Sequence, residues 1–203
     1  ALLACLPLAP LTAAEFKENL NYFEIFPNYP GSEANKVEVV EFFMYSCPHC
    51  YDFEPHLNAW LANKPADVNF TKVPAVFNAN ARFFAEAYYS LEVMGVDHSI
   101  HEKIFAAIHD QQKRLFEAES LAEFLATQGV DANQFRQHLK SFAVQAKVNR
   151  AEELGKRYAI RAVPSMVVEG SWRTGQVGSF EEMLQLVDFL VAKGKKEKLA
   201  TNP

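Results

Sequence analysis

Between Val37 and Tyr45 the chain carries apolar side chains at both parities, with no alternation of apolar and polar positions. Such a run, rich in β-branched and aromatic residues, predicts a strand that is covered on both faces. From Tyr51 to Ala62 the apolar residues recur at helical spacing, and Val68 to Val73 again has the composition of a strand. Strand, helix and strand in this order predict parallel neighbours joined by a right-handed crossover.

The rest of the chain divides into a short strand, a long helical stretch and a late return to strands. The helical stretch runs from Asn78 to about Asn149. Its helices are predicted over 82–94, 99–108 and 141–158, with two more opened by capping boxes at Ser120 and Asp131. The other elements are a strand over 21–26, a hairpin of 163–168 and 172–177 turning at Gly170-Ser171, a helix from Ser179 to Val191, and a solvated tail from Lys193.

Composition narrows the class of protein. The chain has 203 residues, 49% apolar and 22% charged, with a net charge of −5, which is typical of an ordinary globular protein. Nothing in this balance indicates binding to nucleic acid or to an anionic membrane. The six histidines are scattered, and the closest pair, His98 and His101, is predicted to lie on the solvated surface of a helix.

The first fourteen residues differ from the rest. Ala1 to Ala14 carries no charge and is too short and too rich in proline to span a membrane. It is typical of the end of a secretory signal peptide, with cleavage after Ala14 leaving Glu15 as the mature N-terminus. A lipoprotein signal ending at Cys5 is the alternative, and an ordinary frayed terminus is the plainest one. Soluble export is preferred to lipidation because the apolar stretch continues beyond Cys5.

Two cysteines fall where the first long strand turns into a helix, in the order Cys47-Pro48-His49-Cys50. The free N–H groups and the macrodipole at a helix N-terminus favour an anion, so a thiol at Cys47 should ionise easily. The thiolate is the nucleophile of thiol–disulfide exchange. Pro48 suits the first turn of a helix, since it lacks an N–H that would have no partner there. The pattern predicts a redox-active pair.

Three other interpretations of the pair are weaker. A zinc site needs further ligands, and Cys5 is the only other cysteine in the sequence. A structural disulfide closing so small a loop contributes only about 2 kcal/mol before strain. Two unlinked core cysteines would be out of place at a helix N-terminus with proline and histidine between them.

A carboxylate in the middle of the central strand needs a partner. Glu41 lies within the buried apolar run, where an ionised side chain is costly unless it is paired. Lys72, on the next predicted strand, is the obvious candidate. The alternatives are a glutamate that faces a water-filled gap and an acid that acts beneath the cysteine pair.

The residues and their order resemble the DsbA family of bacterial periplasmic disulfide oxidases. The resemblance rests on Glu41-Phe42-Phe43 before the first cysteine, Cys47 to Glu54, Thr71-Lys72 and Val163-Pro164, and covers about residues 20–192. It implies an α/β protein with the thioredoxin fold and an inserted all-helical subdomain. The implied segments are a signal-peptide remnant (1–14), the thioredoxin fold in two parts (15–77 and 149–192), the helical insertion (78–148) and a tail (193–203).

The resemblance also implies a role for each matching residue. Cys47 would be the exposed sulfur that substrate attacks, Cys50 the buried resolving sulfur, and His49, beside Pro48, would stabilise the Cys47 thiolate. Pro164 would be a cis-proline beside the disulfide. The remaining implied roles belong to Val163, whose backbone would hold an extended substrate, and to a charged proton-transfer cluster of Glu41, Glu54 and Lys72.

The function implied by the resemblance is the introduction of disulfide bonds into exported, unfolded proteins. Electrons would pass through the Cys47–Cys50 disulfide without a bound cofactor or metal, and a membrane quinone oxidoreductase of the DsbB type would reoxidise the pair. The protein would act in the periplasm as a monomer. The alternatives are a disulfide reductase or isomerase on the same fold, although isomerases of this kind usually carry a separate dimerisation domain, and a non-enzymatic module whose cysteines hold a metal.

Overall fold

The structure is a computed structural model in which residues 15–29, 31, 33 and 35–201 are described. The predicted signal remnant, including Cys5, lies outside these residues. The strands are β1 (Tyr22–Glu24), β2 (Val37–Phe43), β3 (Val68–Pro74), β4 (Ser165–Val168) and β5 (Trp172–Thr174). The helices are α1 (Pro48–Asn63), α2 (Ala79–Val93), α3 (Ser99–His109), α4 (Ala118–Thr127), α5 (Ala132–Leu139), α6 (Phe142–Arg157) and α7 (Phe180–Thr201).

The strands form one sheet in the order β1-β5-β4-β2-β3, with β2 near its centre. β2 runs parallel to β3 and antiparallel to β4, so the parallel pair predicted from the strand–helix–strand pattern is confirmed. Their register sets Glu41 opposite Lys72. Side chains opposite one another lie on the same face of a sheet, which brings the two charges together. Helices α2 to α6 follow one another between β3 and β4, so the α/β fold with an inserted helical region is confirmed.

Apolar residues pack on both faces of the sheet, as the doubly apolar pattern of β2 predicts. Val39 packs with α1 and α7 on one face, and Phe42 packs with α2 and α6 on the other. A further cluster fills the helical insertion and reaches the end of β2 and Cys50. Its largest fully buried side chains are Phe43, Tyr45, Phe84, Phe105, Phe135, Ile104, Leu121 and Leu125. The turn that contains Cys47 and Cys50 therefore packs against the helical insertion.

Two local predictions are wrong by a residue or more. Helix α4 begins at Ala118 with Glu117 as its cap, so Ser120 lies inside the first turn, where its hydroxyl donates to the Glu117 carbonyl. The hairpin turn is centred on Glu169 and Gly170, both with positive φ, rather than on Gly170 and Ser171. Two successive positive φ values give a turn whose twist matches that of a hairpin.

The predicted tail from Lys193 is also wrong, since α7 continues to Thr201. Lysine side chains of the extension reach groups far away in the sequence: Lys195 Nζ lies 2.7 Å from Asp67 Oδ2, and Lys198 Nζ lies 2.8 Å from Glu169 Oε2. The Lys193 ammonium lies over the Trp172 ring, 4.8 Å from its centroid. These contacts support a helix that the lysine-rich composition alone did not indicate.

Candidate active site

The C-P-H-C turn is the start of α1. Cys47 is the N-cap residue in an extended conformation, and its sulfur accepts the N–H of Cys50 at 3.4 Å. Pro48 is the first helical residue, where no N–H is needed. One turn into the helix, Cys50 is fully buried, whereas Cys47 remains partly exposed. Both cysteines are free thiols in this structure.

The two thiols differ in acidity because their surroundings differ. A hydrogen bond from the Cys50 thiol, helped by the backbone N–H groups of the helix start and the nearby His49, lowers the pKa of Cys47 to about 6. The pKa of Cys50 is raised, first by the same interaction with Cys47 and then by burial. Cys47 is thus the thiol that is ionised near neutral pH, and Cys50 keeps its proton.

The outer side of the site consists of Cys47, His49, Val163 and Pro164. His49 is exposed to solvent, as is Pro48. The Cys47 sulfur lies 3.5 Å from the carbonyl oxygen of Val163, to which it donates a hydrogen bond while it is protonated, and the Val163–Pro164 peptide bond is cis. The structure therefore brings the loop before β4 against the first cysteine, as the family resemblance implies.

Glu41, Glu54, Lys72 and His101 form a buried charge cluster, and Glu41 lies near enough to Cys50 for its charge to help raise the pKa of that thiol. Lys72 Nζ forms a short ion pair with Glu54 Oε1. Lys72 Nζ also lies 3.0 Å from Glu41 Oε2 and forms an ion pair with it, so one buried ammonium faces two buried carboxyl groups. Sequence reasoning identified three members of the cluster and missed the fourth.

Burial and charge act in opposite directions on the two carboxyl groups. Burial raises the pKa of Glu41 to about 7, against the lowering effect of the Lys72 charge. Burial also acts to raise the pKa of Glu54, but His101 and Lys72 together lower it. The pKa of Lys72 is raised, since the two carboxylates outweigh its own burial. At neutral pH the cluster thus holds an ammonium, an ionised Glu54 and a Glu41 that is poised to gain or lose a proton.

His101 corrects a sequence prediction, because it is buried rather than on the surface of the protein. Its Nε2 lies 3.2 Å from Lys72 Nζ, and its Nδ1 lies 2.9 Å from the Tyr45 hydroxyl. The signal was present in the sequence. His101 precedes Ile104 and Phe105 by three and four residues, which sets it on the apolar stripe of α3.

The insertion also contacts the active-site turn through residues that the sequence analysis did not single out. His109 Nε2 donates to the carbonyl oxygen of Tyr45 at 2.8 Å, and its ring stacks on Tyr51 at 5.1 Å between centroids. The Tyr51 hydroxyl donates to Asp110 at 2.5 Å. The end of α3 therefore contacts both Tyr45, two residues after the end of β2, and the first turn of α1.

A cleft of about 540 Å³ opens between α1 and α3, and Glu54 and Glu102 are among its lining residues. It brings solvent close to the charge cluster. Within residues 15–29, 31, 33 and 35–201, no three His, Cys, Asp or Glu side chains gather closely enough to hold a metal ion. Of the helices formed by those residues, none has both the length and the hydropathy to cross a bilayer.

Comparison with known families gives a match over most of the chain. The model of the family described as "DSBA-like thioredoxin domain" matches residues 38–188. The thiol:disulfide interchange protein DsbA of Pseudomonas aeruginosa is 40% identical over 183 residues, which cover 89% of this chain and 87% of that protein. The protein of the same name from Burkholderia cepacia is 37% identical over 195 residues, covering 95% and 90% of the two chains.

Solved structures agree with the sequence relatives. The crystal structure of Pseudomonas aeruginosa DsbA superposes with a TM-score of 0.84 at 38% identity, covering 93% of this chain and 97% of that one. The oxidoreductase NmDsbA1 from Neisseria meningitidis gives a TM-score of 0.78 at 25% identity, with 90% and 95% coverage. The similarity thus extends over both the sheet and the helical insertion.

Proposed function

Since this chain belongs to the family of DSBA-like thioredoxin domains, we propose that it introduces disulfide bonds into exported, unfolded proteins through Cys47 and Cys50. The chain is a thiol:disulfide oxidoreductase, as its relatives are. The observation that carries the finer proposal is the unequal acidity of the two thiols, with the pKa of Cys47 lowered to about 6 and that of Cys50 raised. A stable Cys47 thiolate favours the reduced state and therefore makes the disulfide a strong oxidant.

The first chemical step is an exchange at Cys47. A substrate thiolate attacks the Cys47 sulfur, a bond forms between them, and the Cys47–Cys50 bond breaks. The electron pair of the broken bond passes to Cys50. The outer position of Cys47 supports this order, because a protein thiolate can reach a half-buried sulfur but not one that is fully enclosed.

The leaving Cys50 thiolate needs a proton because it is buried and its pKa is raised. Glu41 is suited to supply it, since burial raises the pKa of this carboxyl to about 7. When Glu41 loses its proton, the Lys72 ammonium, which also pairs with Glu54, stabilises the new negative charge. Glu41 then regains a proton from solvent through the cleft beside Glu54. This proton balances the one that the substrate thiol released to solvent when it ionised.

A second substrate thiolate then attacks the mixed disulfide and releases the reduced enzyme with an oxidised substrate. The Val163 carbonyl lies 3.5 Å from the Cys47 sulfur. It is suited to accept a hydrogen bond from a backbone N–H of an extended substrate strand. Pro164 follows it and presents no N–H of its own. His49 supports the Cys47 thiolate by its charge when it is protonated.

Reoxidation must return two electrons from the Cys47–Cys50 dithiol to an acceptor. By the family relationship we assign this step to a membrane quinone oxidoreductase of the DsbB type, and we assign the reaction to the periplasm. The exchange chemistry needs no bound cofactor, since both electrons are carried by sulfur.

The test is to mix the oxidised protein with a reduced, unfolded protein and to follow disulfide formation in the substrate, together with the equilibrium potential of the pair against glutathione. An oxidase should oxidise the substrate stoichiometrically and have a potential well above the roughly −270 mV of thioredoxin. The Cys47→Ser/Cys50→Ser variant is the control. A potential at or below that of thioredoxin would favour the reductase alternative.

A further inference from the structure

A tight turn of four residues, Met44 to Cys47, joins the end of β2 to the start of α1. The Cys47 N–H donates to the Met44 carbonyl at 3.1 Å and closes the turn. The central peptide of such a turn, here between Tyr45 and Ser46, is the one whose rotation distinguishes the common turn types. The direction of the Tyr45 carbonyl therefore reports how the chain enters the reactive cysteine.

That carbonyl is held by a side chain of the helical insertion. His109 Nε2, at the end of α3, lies 2.8 Å from the Tyr45 carbonyl oxygen. A carbonyl oxygen only accepts, so Nε2 carries the proton. Among the described residues, His109 is the one hydrogen-bond donor to this oxygen. The Tyr45 ring is buried in the core, but it does not fix the rotation of the peptide that follows its own Cα.

The His109 ring is itself held from the other side of the cysteine. It stacks on the Tyr51 ring, with 5.1 Å between centroids and 11° between planes. Tyr51 belongs to the first turns of α1: its N–H donates to the Cys47 carbonyl at 3.2 Å, and its hydroxyl donates to Asp110 at 2.5 Å. One imidazole thus contacts the residue two positions before Cys47 and the residue four positions after it.

We propose that His109 is a positioning residue for Cys47: by holding the central peptide of the preceding turn, it keeps the Cys47 sulfur where the donors of the helix start stabilise the thiolate. The inference rests on the proposed function and deepens it. It gives the helical insertion a part in the chemistry of the thioredoxin fold, because His109 belongs to α3 whereas both cysteines follow β2.

The Cys47 thiolate is sensitive to small movements of the turn. Its sulfur accepts the Cys50 N–H at 3.4 Å, and hydrogen bonds from Cys50 are the main cause of its lowered pKa. Those donors are fixed on α1, whereas Cys47 is also the last residue of the turn. The charged or titratable groups that act on it directly are Cys50 and His49, both on α1. His109 acts only through the backbone.

Removing the donor should therefore make Cys47 less acidic. In His109→Phe the ring and its stacking on Tyr51 remain, but the Tyr45 carbonyl loses its partner and turns toward water. We expect the pKa of Cys47 to rise by about half a pH unit from about 6. His109→Gln keeps an N–H donor in the place of Nε2 and should behave like the parent. His98→Phe, the same change at an exposed position near the other end of α3, is the matched control.

Two measurements test this. The first is the pH titration of the Cys47 thiolate in the reduced protein, followed by its ultraviolet absorbance and by the rate of alkylation. The second is the equilibrium constant of the Cys47–Cys50 pair against glutathione at pH 7. A pKa higher by about half a unit should make the disulfide roughly threefold less oxidising in His109→Phe. His109→Gln and His98→Phe should match the parent in both measurements.

The proposal is overturned if the Cys47 titration of His109→Phe matches that of the parent, or if His109→Gln shifts as far as His109→Phe. Should the Phe variant not fold, His109→Leu, which lacks the donor and has a smaller side chain, takes its place against Gln. The titration needs no substrate. A protein that failed to oxidise a reduced peptide would contradict the proposed function while the comparison of variants still decided this inference, so the two failures are distinguishable.

Discussion

The two cysteines of the turn lie three residues apart and belong to two different environments. Cys47 faces the outer side of the site, where solvent, the exposed His49 and a backbone carbonyl surround it. Cys50 is fully buried and lies close enough to the charge cluster for the Glu41 charge to help raise its pKa. A single helical turn separates a thiol with a pKa of about 6 from one whose pKa is raised above its usual value.

The difference shows how one short motif places two cysteines with different properties one helical turn apart. The N-cap position supplies backbone N–H groups that stabilise an anion at a sulfur that substrate can reach. The next turn points inward, where a low dielectric makes an anion costly and a nearby proton donor useful. In the mechanism proposed above, exchange therefore takes place at the outer sulfur, and the charge cluster supplies the proton that Cys50 takes up.

The largest expected effect comes from replacing each of the two cysteines in turn. In Cys50→Ala the Cys47–Cys50 disulfide cannot form, so catalytic turnover should stop. The Cys47 thiolate can still attack disulfides already present in substrate proteins, releasing one substrate cysteine as a thiolate, and the resulting mixed disulfides should accumulate because no second enzyme thiol reverses them. Cys47→Ala should also stop turnover but trap almost nothing, because Cys50 is buried. Alkylation after acid quench followed by mass spectrometry measures both. Equal trapping by the two variants would contradict the assigned order.

The second prediction compares the loss in free energy of unfolding when a residue is replaced in the buried charge cluster and on the outer side of the site. Lys72→Met leaves Glu41 and Glu54 buried without a cation, which should lower the free energy of unfolding by about 3 kcal/mol at pH 7. The loss should shrink toward pH 5, because the carboxyls, now with raised pKa values, become neutral on acidification. On the outer side, His49→Gln should change stability by about 0.5 kcal/mol or less.

Denaturant unfolding at both pH values measures the two losses. The double variant Lys72→Met/Glu54→Gln is the matched control, since removing the paired charge should restore part of the stability. A Lys72→Met loss no larger than that of His49→Gln would show that the cluster's charges are not truly buried together.

Much of this arrangement could be predicted from the sequence where the determining contacts are local or follow strand register. Cys47 as an N-cap needs only the strand–proline–helix order, and Glu41 beside Lys72 needs only parallel strands of equal length. The helical end of the chain shows the opposite case. From the local sequence its lysines are predicted to be exposed to solvent. Only folding brings Asp67 close to Lys195 and Glu169 close to Lys198.

His101 lies between these cases. Its place on the apolar stripe of α3 was readable, but the pattern alone gives no reason why a titratable side chain should be buried. The reason lies in how the insertion docks on the sheet: α3 meets β3 and the residues after β2, and Lys72 and Tyr45 come together only there. Docking of separate elements has no local signature in one sequence.

The smallest expected effect concerns the balance between the reduced and oxidised forms. The cross-link closes a four-residue loop and stabilises the folded oxidised form by about 2 kcal/mol before strain. In the reduced form the pKa of Cys47 falls from an ordinary value of 9.0 to about 6, so ionisation favours the folded state. At pH 7 this contributes about 1 kcal/mol after allowance for solvent screening at a half-buried thiol.

The two contributions are therefore close at neutral pH, and pH decides between them. A depressed pKa gives a contribution that grows as pH rises from about 6 toward the unfolded value and is lost as pH falls through 6. We expect the oxidised form to be the more stable at pH 5.5, the difference to narrow by about 1 kcal/mol at pH 7, and the reduced form to draw level by about pH 8. Parallel denaturant melts of both forms measure this. The control is Cys47→Ser, which cannot form the disulfide, and whose free energy of unfolding should lack the rise with pH expected of the reduced parent. A difference that stayed constant from pH 5.5 to 8 would show that the N-cap position does not acidify Cys47, and the contrast between the two thiols would then rest on burial of Cys50 alone.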